Sequence, residues 1–332
     1  MPVAEQLRVA VAMATFNGER FIAEQLESIL NQTRLPDEIV ISDDHSTDKT
    51  LAVAKKILKP ACAERGIDLT IVSHDGPAGV SANFHHAVSQ TTADVIALAD
   101  QDDVWHAEKL ETLVSHFEAL PEHLMVHSDA DLIDEAGESL GMGVLDSLRI
   151  TGRERHDLVT SRGIRALVRR NLVTGQTALI RRSLVELSAD IPEGWVHDEW
   201  WALVAASMDG LLLDPRVFQS YRQHPGNEIG ASKSGWDRLK ERFSEPQSAF
   251  RNRHRVRHQG LERFMDAPLW PGNEEATDLL RGRLRHYEWQ AQLPASHLLR
   301  IGPIVWKLVT GEYSRYRRGF FDAVRDFLQP AT

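Results

Sequence analysis

Three carboxylates, Asp100, Asp102 and Asp103, stand in the run Asp100-Gln-Asp-Asp-Val-Trp105, immediately after the apolar segment Val95 to Ala99. An apolar run of this length that ends in an abrupt acidic cluster reads as a buried strand delivering its last residues to the edge of a sheet. Crowded carboxylates repel one another unless a cation joins them. Hard divalent ions such as Mg²⁺ or Mn²⁺ take oxygen ligands and keep positions open for substrate phosphates, so the cluster suggests a metal–diphosphate site. The competing reading is a solvated acidic loop that caps a helix beginning near His106.

Two further polar clusters, Thr15-Phe-Asn-Gly18 and Ser42-Asp-Asp-His45, also close apolar runs. The elements that would position all three alternate in type. Val9 to Ala14, Glu38 to Ser42, Leu69 to Val72, Val95 to Ala99 and Leu124 to His127 read as strands. Between them Phe21, Ile22, Leu26, Ile29 and Leu30 recur at helical spacing, and a second helix starts at Ser46 as N-cap and ends or kinks at Pro60. Helices are also predicted over Ser81 to Ser89 and Ala107 to Leu120. This alternation implies a mostly parallel sheet covered on both faces. Ligands of such sheets gather beyond the carboxyl ends of the strands, where the three clusters fall.

Farther along, Gly137, Gly141, Gly143 and Gly152 predict mobile, irregular loops over Asp134 to Arg170. Thr177 to Ile180 is a predicted strand, followed by a helix from Arg182. His197-Asp-Glu-Trp-Trp201 opens a helical run to Met208, and Leu211 to Leu213 and Val217 to Tyr221 read as two strands. Pro225 to Gly230 marks a change of character, beyond which arginine-rich helical patterns dominate, with breaks near Pro268, Pro271 and Pro294.

Composition narrows the class. The 332 residues suffice for one sizeable α/β domain and an appendage, and 42% hydrophobic with 26% charged residues is ordinary for a globular chain. A single cysteine, Cys62, excludes an internal disulfide and fits a reducing compartment. With no visible signal segment and no apolar run of the roughly 20 residues that cross a bilayer, the expected location is cytoplasmic. Residues 1–235 carry 21 Lys and Arg against 36 Asp and Glu, and those from Trp236 onward carry 17 against 12. An acidic body with a basic tail argues against a nucleic-acid binder.

The segments Val11-Ala-Met-Ala-Thr-Phe-Asn-Gly18, Glu24 to Thr33, Glu38-Ile-Val-Ile-Ser-Asp-Asp-His-Ser-Thr-Asp48, Ala97 to Trp105 and Glu108-Lys-Leu110 follow one another in an order that resembles the family 2 glycosyltransferases. Gly175-Gln-Thr177, His197-Asp198 and Tyr221-Arg-Gln-His224 fall where that family has its acceptor-side motifs. The resemblance covers roughly residues 8–228, and the combination DQDDVW, HDEWW and YRQHPGN is most similar to the rhamnosyltransferase-type branch that builds bacterial surface polysaccharides. It implies a GT-A fold with a mostly parallel Rossmann-like sheet flanked by helices. A catalytic domain would span 1–228, divided at 130/131 into nucleotide-binding and acceptor-side halves, with a helical C-terminal region over 229–332.

The resemblance also implies a reaction. A sugar would pass with inversion from a dTDP- or UDP-sugar, with dTDP-rhamnose the candidate donor, to a saccharide or polyprenyl-linked acceptor, assisted by Mg²⁺ or Mn²⁺. Asp102 would ligate the metal and His224 would complete its shell, while Arg222 would pair with phosphate oxygens. Asp100 would reach the ribose or the metal shell, and Asp103 could cap the next helix. Asp44, or its neighbour Asp43, would accept the imide hydrogen of a uracil or thymine, with Thr15, Asn17 and Asn83 around the same pocket. Asp198 would be the catalytic base, with Glu199 as its competitor. Trp105, Trp195, Trp200 and Trp201 could stack on a sugar, but packing explains most of them. Arg315, Arg317 and Arg318 beside Phe320, Phe321 and Phe327 form a helix suited either to an anionic membrane surface or to packing on the catalytic domain. Two other classes fit parts of the pattern, a sugar nucleotidyltransferase and a non-catalytic carbohydrate-binding relative. The first should have a basic residue in its glycine-rich nucleotide loop, and Thr15-Phe-Asn-Gly18 has none.

Overall fold

The protein is described from a computed structural model over residues 6–188, 190–225, 247–268 and 270–329. Nine strands occur among these residues: β1 (Val9–Thr15), β2 (Glu38–Asp43), β3 (Asp68–Ser73), β4 (Val95–Ala99), β5 (Val104–Trp105), β6 (Met125–Ile133), β7 (Ser139–Gly143), β8 (Ala178–Arg181) and β9 (Leu211–Arg222). They form one sheet in the order β3-β2-β1-β4-β8-β6-β9-β5, with β7 paired to β6. The first four strands are parallel, as their near-continuous apolar sequences require of strands covered on both faces. Register then places the polar clusters together. Thr15 lies opposite Asp43, Asp43 opposite Ser73 and Met13 opposite Ala99, so the turns that follow these strands open at the same edge.

Beyond β4 the sheet becomes mixed. β8 is antiparallel to both β4 and β6, β5 is antiparallel to β9, and β6 and β9 are parallel. The two strands expected near residues 211–221 are one, β9, carried through Asp214-Pro-Arg216 by register shifts against β6. The segment expected to be irregular, 134–170, contains β7 and short helices, including Gly152–Val159 with a Thr151/Glu154 capping box.

Two local expectations are corrected. The second helix is Thr50–Arg65, so Ser46 is not its N-cap; the Ser46 hydroxyl instead bonds Asp43 within the preceding turn. Pro60 neither ends nor interrupts that helix. Pro60 and Lys56 are both exposed, so the carbonyl deprived of its N–H partner meets water.

The expected boundary at 228/229 lies outside the described residues. The C-terminal helices Gln247–Met265 and Glu274–Ala291 share one core with the rest of the chain, their Leu261, Met265, Leu279 and Leu280 joining Trp195, Trp200 and Trp201. The last helices, His297–Val309, Glu312–Tyr316 and Phe320–Leu328, close over a small core of their own made of Leu293, Ile304, Tyr313 and Ala323.

Candidate active site

The edge onto which β1, β2 and β4 open borders a cavity of about 560 Å³. One wall comes from the turns after β1 and β2 and from the start of helix Val80–Ser89. The two neighbouring aspartates separate in role. Asp43 is buried and accepts from Thr15 Oγ1 (2.8 Å), the Ser46 amide (2.9 Å) and the Ser46 hydroxyl (2.6 Å), which makes it the anchor of an Asx-type turn. Asp44 lines the cavity, where one oxygen accepts the Gly79 N–H at 2.9 Å and the other lies 3.3 Å from His45 Nδ1. Asn83 is no surface amide: it is buried on the cavity wall and donates to the Thr15 carbonyl at 3.2 Å.

The acidic turn after β4 forms the adjoining wall, and each of its residues has a different place. Asp100 and Gln101 line the cavity. Gln101 makes a reciprocal pair with the Phe16 backbone, accepting its N–H and donating to its carbonyl, both at 2.9 Å. This latch fits only because residue 18 is glycine: a Cβ there would stand 2.1 Å from Gln101 Oε1. Asp102 Oδ2 accepts from His224 Nε2 at 2.8 Å. Asp103 is fully buried and accepts from the Arg222 N–H (3.1 Å) and Gln219 Nε2 (3.0 Å), so it anchors the turn to β9 and caps no helix. Burial, with Asp102 and Asp100 nearby, raises its carboxyl well above the usual range. Gln219 relays this anchor to Lys109, whose buried ammonium also donates to the Gln176 carbonyl and lies over the Trp105 ring; burial pulls its pKa down to about 7.

Arg222 is not placed to meet a phosphate. Its guanidinium is 2% exposed, pairs with Glu24 at 2.6 Å and donates to the carbonyls of Asp102, Asp134 and Glu135. It is a strut that holds the acidic turn against β9. Arg222→Ala leaves those carbonyls short of donors and should lower unfolding stability by about 2–3 kcal/mol, measured by urea denaturation. Asn17 also lies off the cavity wall, with its carboxamide oxygen accepting the Thr47 N–H (2.9 Å) to tie two loops together.

The far wall is built by the 3₁₀ turn Gly175–Thr177 and the first turn of helix His197–Ser207. Asp198 lines the cavity, accepting from the Gly175 N–H (3.0 Å) and the Glu199 N–H (2.6 Å). Burial outweighs these bonds and lifts its pKa to about 7. Glu199 points elsewhere and pairs with Arg257 at 2.5 Å. His197 shares the wall. Its ring stacks on Phe84 (4.3 Å between centroids), both ring nitrogens are buried without a partner, and burial lowers its pKa to about 3, so the imidazole is neutral. Gly175 permits this approach, since a Cβ would come within 2.9 Å of His197 Nε2.

Thr15, Asp44, Asn83, Asp100 and Asp198 therefore face one cavity, and Asp102 with His224 forms a pair beside Asp100. None of the four tryptophans lines it; Trp195 and Trp200 spend their indole N–H groups on the carbonyls of Arg257 and Ser188. Sequence reading passed over Gln101, Phe16, Gly79 and Tyr221 as individual contributors to the wall. Phe16, Gln101 and Tyr221 lie inside the quoted motifs, which was the available signal; Gly79 lies outside them.

The fit to a metal can be judged from the donor set. Among the described residues no group of three or more His, Cys, Asp or Glu is spaced to hold an ion. Asp102 and His224 supply one carboxylate and one imidazole, which suits a cation that takes its remaining oxygens from a substrate diphosphate and water.

A sequence profile described as Glycosyl transferase family 2 matches residues 10–184, just over half the chain. The Bacillus subtilis protein EpsE is 32% identical over 130 residues, 39% of this chain and 45% of that one. A dTDP-rhamnosyl transferase of Shigella flexneri, RfbG, is 37% identical over 105 residues, 31% and 35% of the two chains. The chain thus spans less than half the length of either relative. Among solved structures, S. aureus TarS in complex with UDP-GlcNAc superposes with a TM-score of 0.57 at 14% identity, over 97% of this chain and 90% of that one. The mannosyltransferase PcManGT of Pyrobaculum calidifontis, in complex with GDP-Man and Mn²⁺, gives 0.51 at 19% identity over 98% and 86%. At these identities the likeness is one of fold, and that fold is GT-A.

Proposed function

Because the chain belongs to glycosyl transferase family 2, we propose that it moves a sugar from a nucleoside diphosphate to a hydroxyl of a saccharide or polyprenyl-linked saccharide, with inversion, in surface polysaccharide synthesis. The observation that carries this reading is the position of Asp198, a carboxylate with a pKa raised to about 7, across one cavity from the Asp44–Asn83 wall. A base that titrates near neutrality is matched to removing a proton from an attacking hydroxyl. The acceptor oxygen attacks the anomeric carbon as the bond to the β-phosphate oxygen breaks, and its proton passes to Asp198. Inversion follows from attack on the face opposite the leaving group. His197, neutral and buried beside the base, does not compete for the proton.

On the donor side, Asp44 accepts the imide N–H of uracil or thymine, and Asn83 and Thr15 shape the pocket. An ionised carboxylate cannot donate to cytosine, so thymidine and uridine nucleotides are preferred. Asp44→Ala should weaken their binding about tenfold to a hundredfold by titration calorimetry. Asp102 and His224 would hold Mg²⁺ or Mn²⁺. When bound, the ion would neutralise charge developing on the departing diphosphate. The resemblance to a dTDP-rhamnosyl transferase favours dTDP-rhamnose as donor. A peripheral contact of the basic C-terminal helices with the inner face of a membrane would bring the enzyme to a polyprenyl-linked acceptor.

A thermal-shift panel of UDP-, dTDP- and GDP-sugars with and without Mn²⁺ tests the whole reading. Stabilisation by thymidine or uridine diphosphate sugars is expected, and an unmoved melting temperature across the panel would overturn it.

A further inference from the structure

The last helices bury charged side chains beside their small apolar core and leave large apolar ones exposed. In His297–Val309, Arg300 is fully buried, and its guanidinium donates to the carbonyls of Pro294 (2.6 Å), Ala295 (3.2 Å), Asp326 (3.0 Å) and Gln329 (2.7 Å). Leu298, Leu299, Trp306 and Val309 on the same helix are 66–77% exposed, and Ile301 and Val305 nearly half. At 100° per residue these six side chains occupy an arc of roughly 160°, with Arg300 and Ile304 on the other side. Phe320–Leu328 repeats the arrangement: Asp322, Arg325 and Asp326 point inward, while Phe320 is 72% exposed and Leu328 nearly half. The inward charges are satisfied, Arg325 by Asp326 at 2.6 Å and Asp326 also by the Tyr313 hydroxyl at 2.8 Å. The polar interior therefore holds the helices in place and fixes their apolar faces outward.

A contiguous set of large apolar side chains in water marks an interaction surface. The charges around it select the partner. Besides the buried Arg300, residues 297–321 carry Lys307, Arg315, Arg317 and Arg318; Lys307 pairs with Glu312 at 2.7 Å and Arg317 lies 3.4 Å from Asp322, so Arg315 and Arg318 are the exposed cations of the rim. A second copy packed through the same face by a two-fold axis would bring one cationic rim against another. An anionic bilayer complements both features, taking the apolar arc at its acyl boundary and the basic rim at its headgroup phosphates. No helix among the described residues is long and apolar enough to cross a membrane, so this surface lies on one.

We propose that helices His297–Val309 and Phe320–Leu328 form a monotopic docking face for an anionic lipid bilayer, with Leu298, Trp306, Val309 and Phe320 as its inserted anchors. Insertion is by the face of a folded helical unit, with Trp306 at the depth where an amphipathic indole settles. The proposal deepens the acceptor reading above but is tested apart from it, because vesicle binding needs neither donor nor acceptor.

The experiment is flotation of the full chain with vesicles of equal phosphatidylglycerol and phosphatidylcholine, and with phosphatidylcholine alone. The wild type should float with the anionic vesicles and at least tenfold less with the neutral ones. A Leu298→Gln/Trp306→Gln/Val309→Gln variant should lose at least tenfold of that recovery, with its circular dichroism and Mn²⁺–UDP binding unchanged. Arg315→Glu with Arg318→Glu should also reduce recovery. Wild type left at the bottom of the gradient, equal recovery with neutral vesicles, or undiminished recovery of the triple variant overturns the proposal. So does a lipid-free dimer, seen by light scattering, that the triple substitution splits while neither protein floats, because a second copy would then cover the face.

Discussion

Asp198→Asn should leave the affinity for the nucleotide-sugar within about twofold while turnover falls by about 10³-fold, the result expected if Asp198 is the general base and does not touch the donor diphosphate. The amide keeps the shape of the carboxyl and a carbonyl oxygen for the Gly175 N–H, so the cavity wall should persist. The pH dependence carries a second signature. A carboxyl with a pKa near 7 is protonated and inactive as a base below that value, so wild-type kcat should rise with pH through about 7 and level off above it. Stability moves in the opposite sense. The folded pKa is raised from 3.8, so the stabilisation from keeping this proton is complete below the unfolded value and is lost as pH rises through about 7. Relative to wild type, Asp198→Asn should therefore melt higher at pH 8 than it does at pH 4. Single-turnover kinetics and calorimetry at the two pH values check both signs; near-normal turnover would move the base elsewhere, with Glu199 disfavoured by its Arg257 pair.

The parallel half of the sheet was legible because its strands are short, apolar and separated by amphipathic helices, a pattern that local sequence carries almost alone. Val9–Thr15 and Val95–Ala99 emerge within a residue of their expected bounds. The mixed half was less legible. β9 reads as two strands because Asp214-Pro-Arg216 breaks the apolar pattern, and only pairing with β6 on both sides of the irregularity carries the backbone through it. Among site residues, motif order marked the Asp44, Asp100 and Asp198 walls. It could not say which chemically competent side chain a fold would spend on itself. Arg222 looks like a phosphate ligand by type, yet the fold buries it beneath the acidic turn, where neighbouring carbonyls need a donor. Asp43 and Asp44 are adjacent and identical in type. Only the Ser46 and Thr15 hydroxyls distinguish the turn anchor from the residue left facing the cavity.

Asp102→Ala should abolish the effect of divalent cation on nucleotide binding while leaving metal-free binding nearly unchanged. His224 Nε2 meets Asp102 Oδ2 at 2.8 Å through a proton that a cation would replace. Two protein donors are too few to hold Mg²⁺ or Mn²⁺ firmly, and the described residues offer no third, so most of the coordination would come from the diphosphate and water. The wild type alone should therefore bind Mn²⁺ weakly, with a Kd on the order of a millimolar, while metal and nucleotide strengthen each other by about tenfold to a hundredfold. Because such coupling is reciprocal, UDP titrated with and without Mn²⁺ and Mn²⁺ titrated with and without UDP must return the same factor. In Asp102→Ala that factor should fall to about one, and in His224→Ala to an intermediate value, since the carboxylate carries the charge and the imidazole only a lone pair. Asp103→Asn offers the contrast: it is buried behind the turn, so it should lower stability before it alters the coupling. Full coupling retained in Asp102→Ala would remove this residue from the metal site and return the acidic turn to a purely structural role.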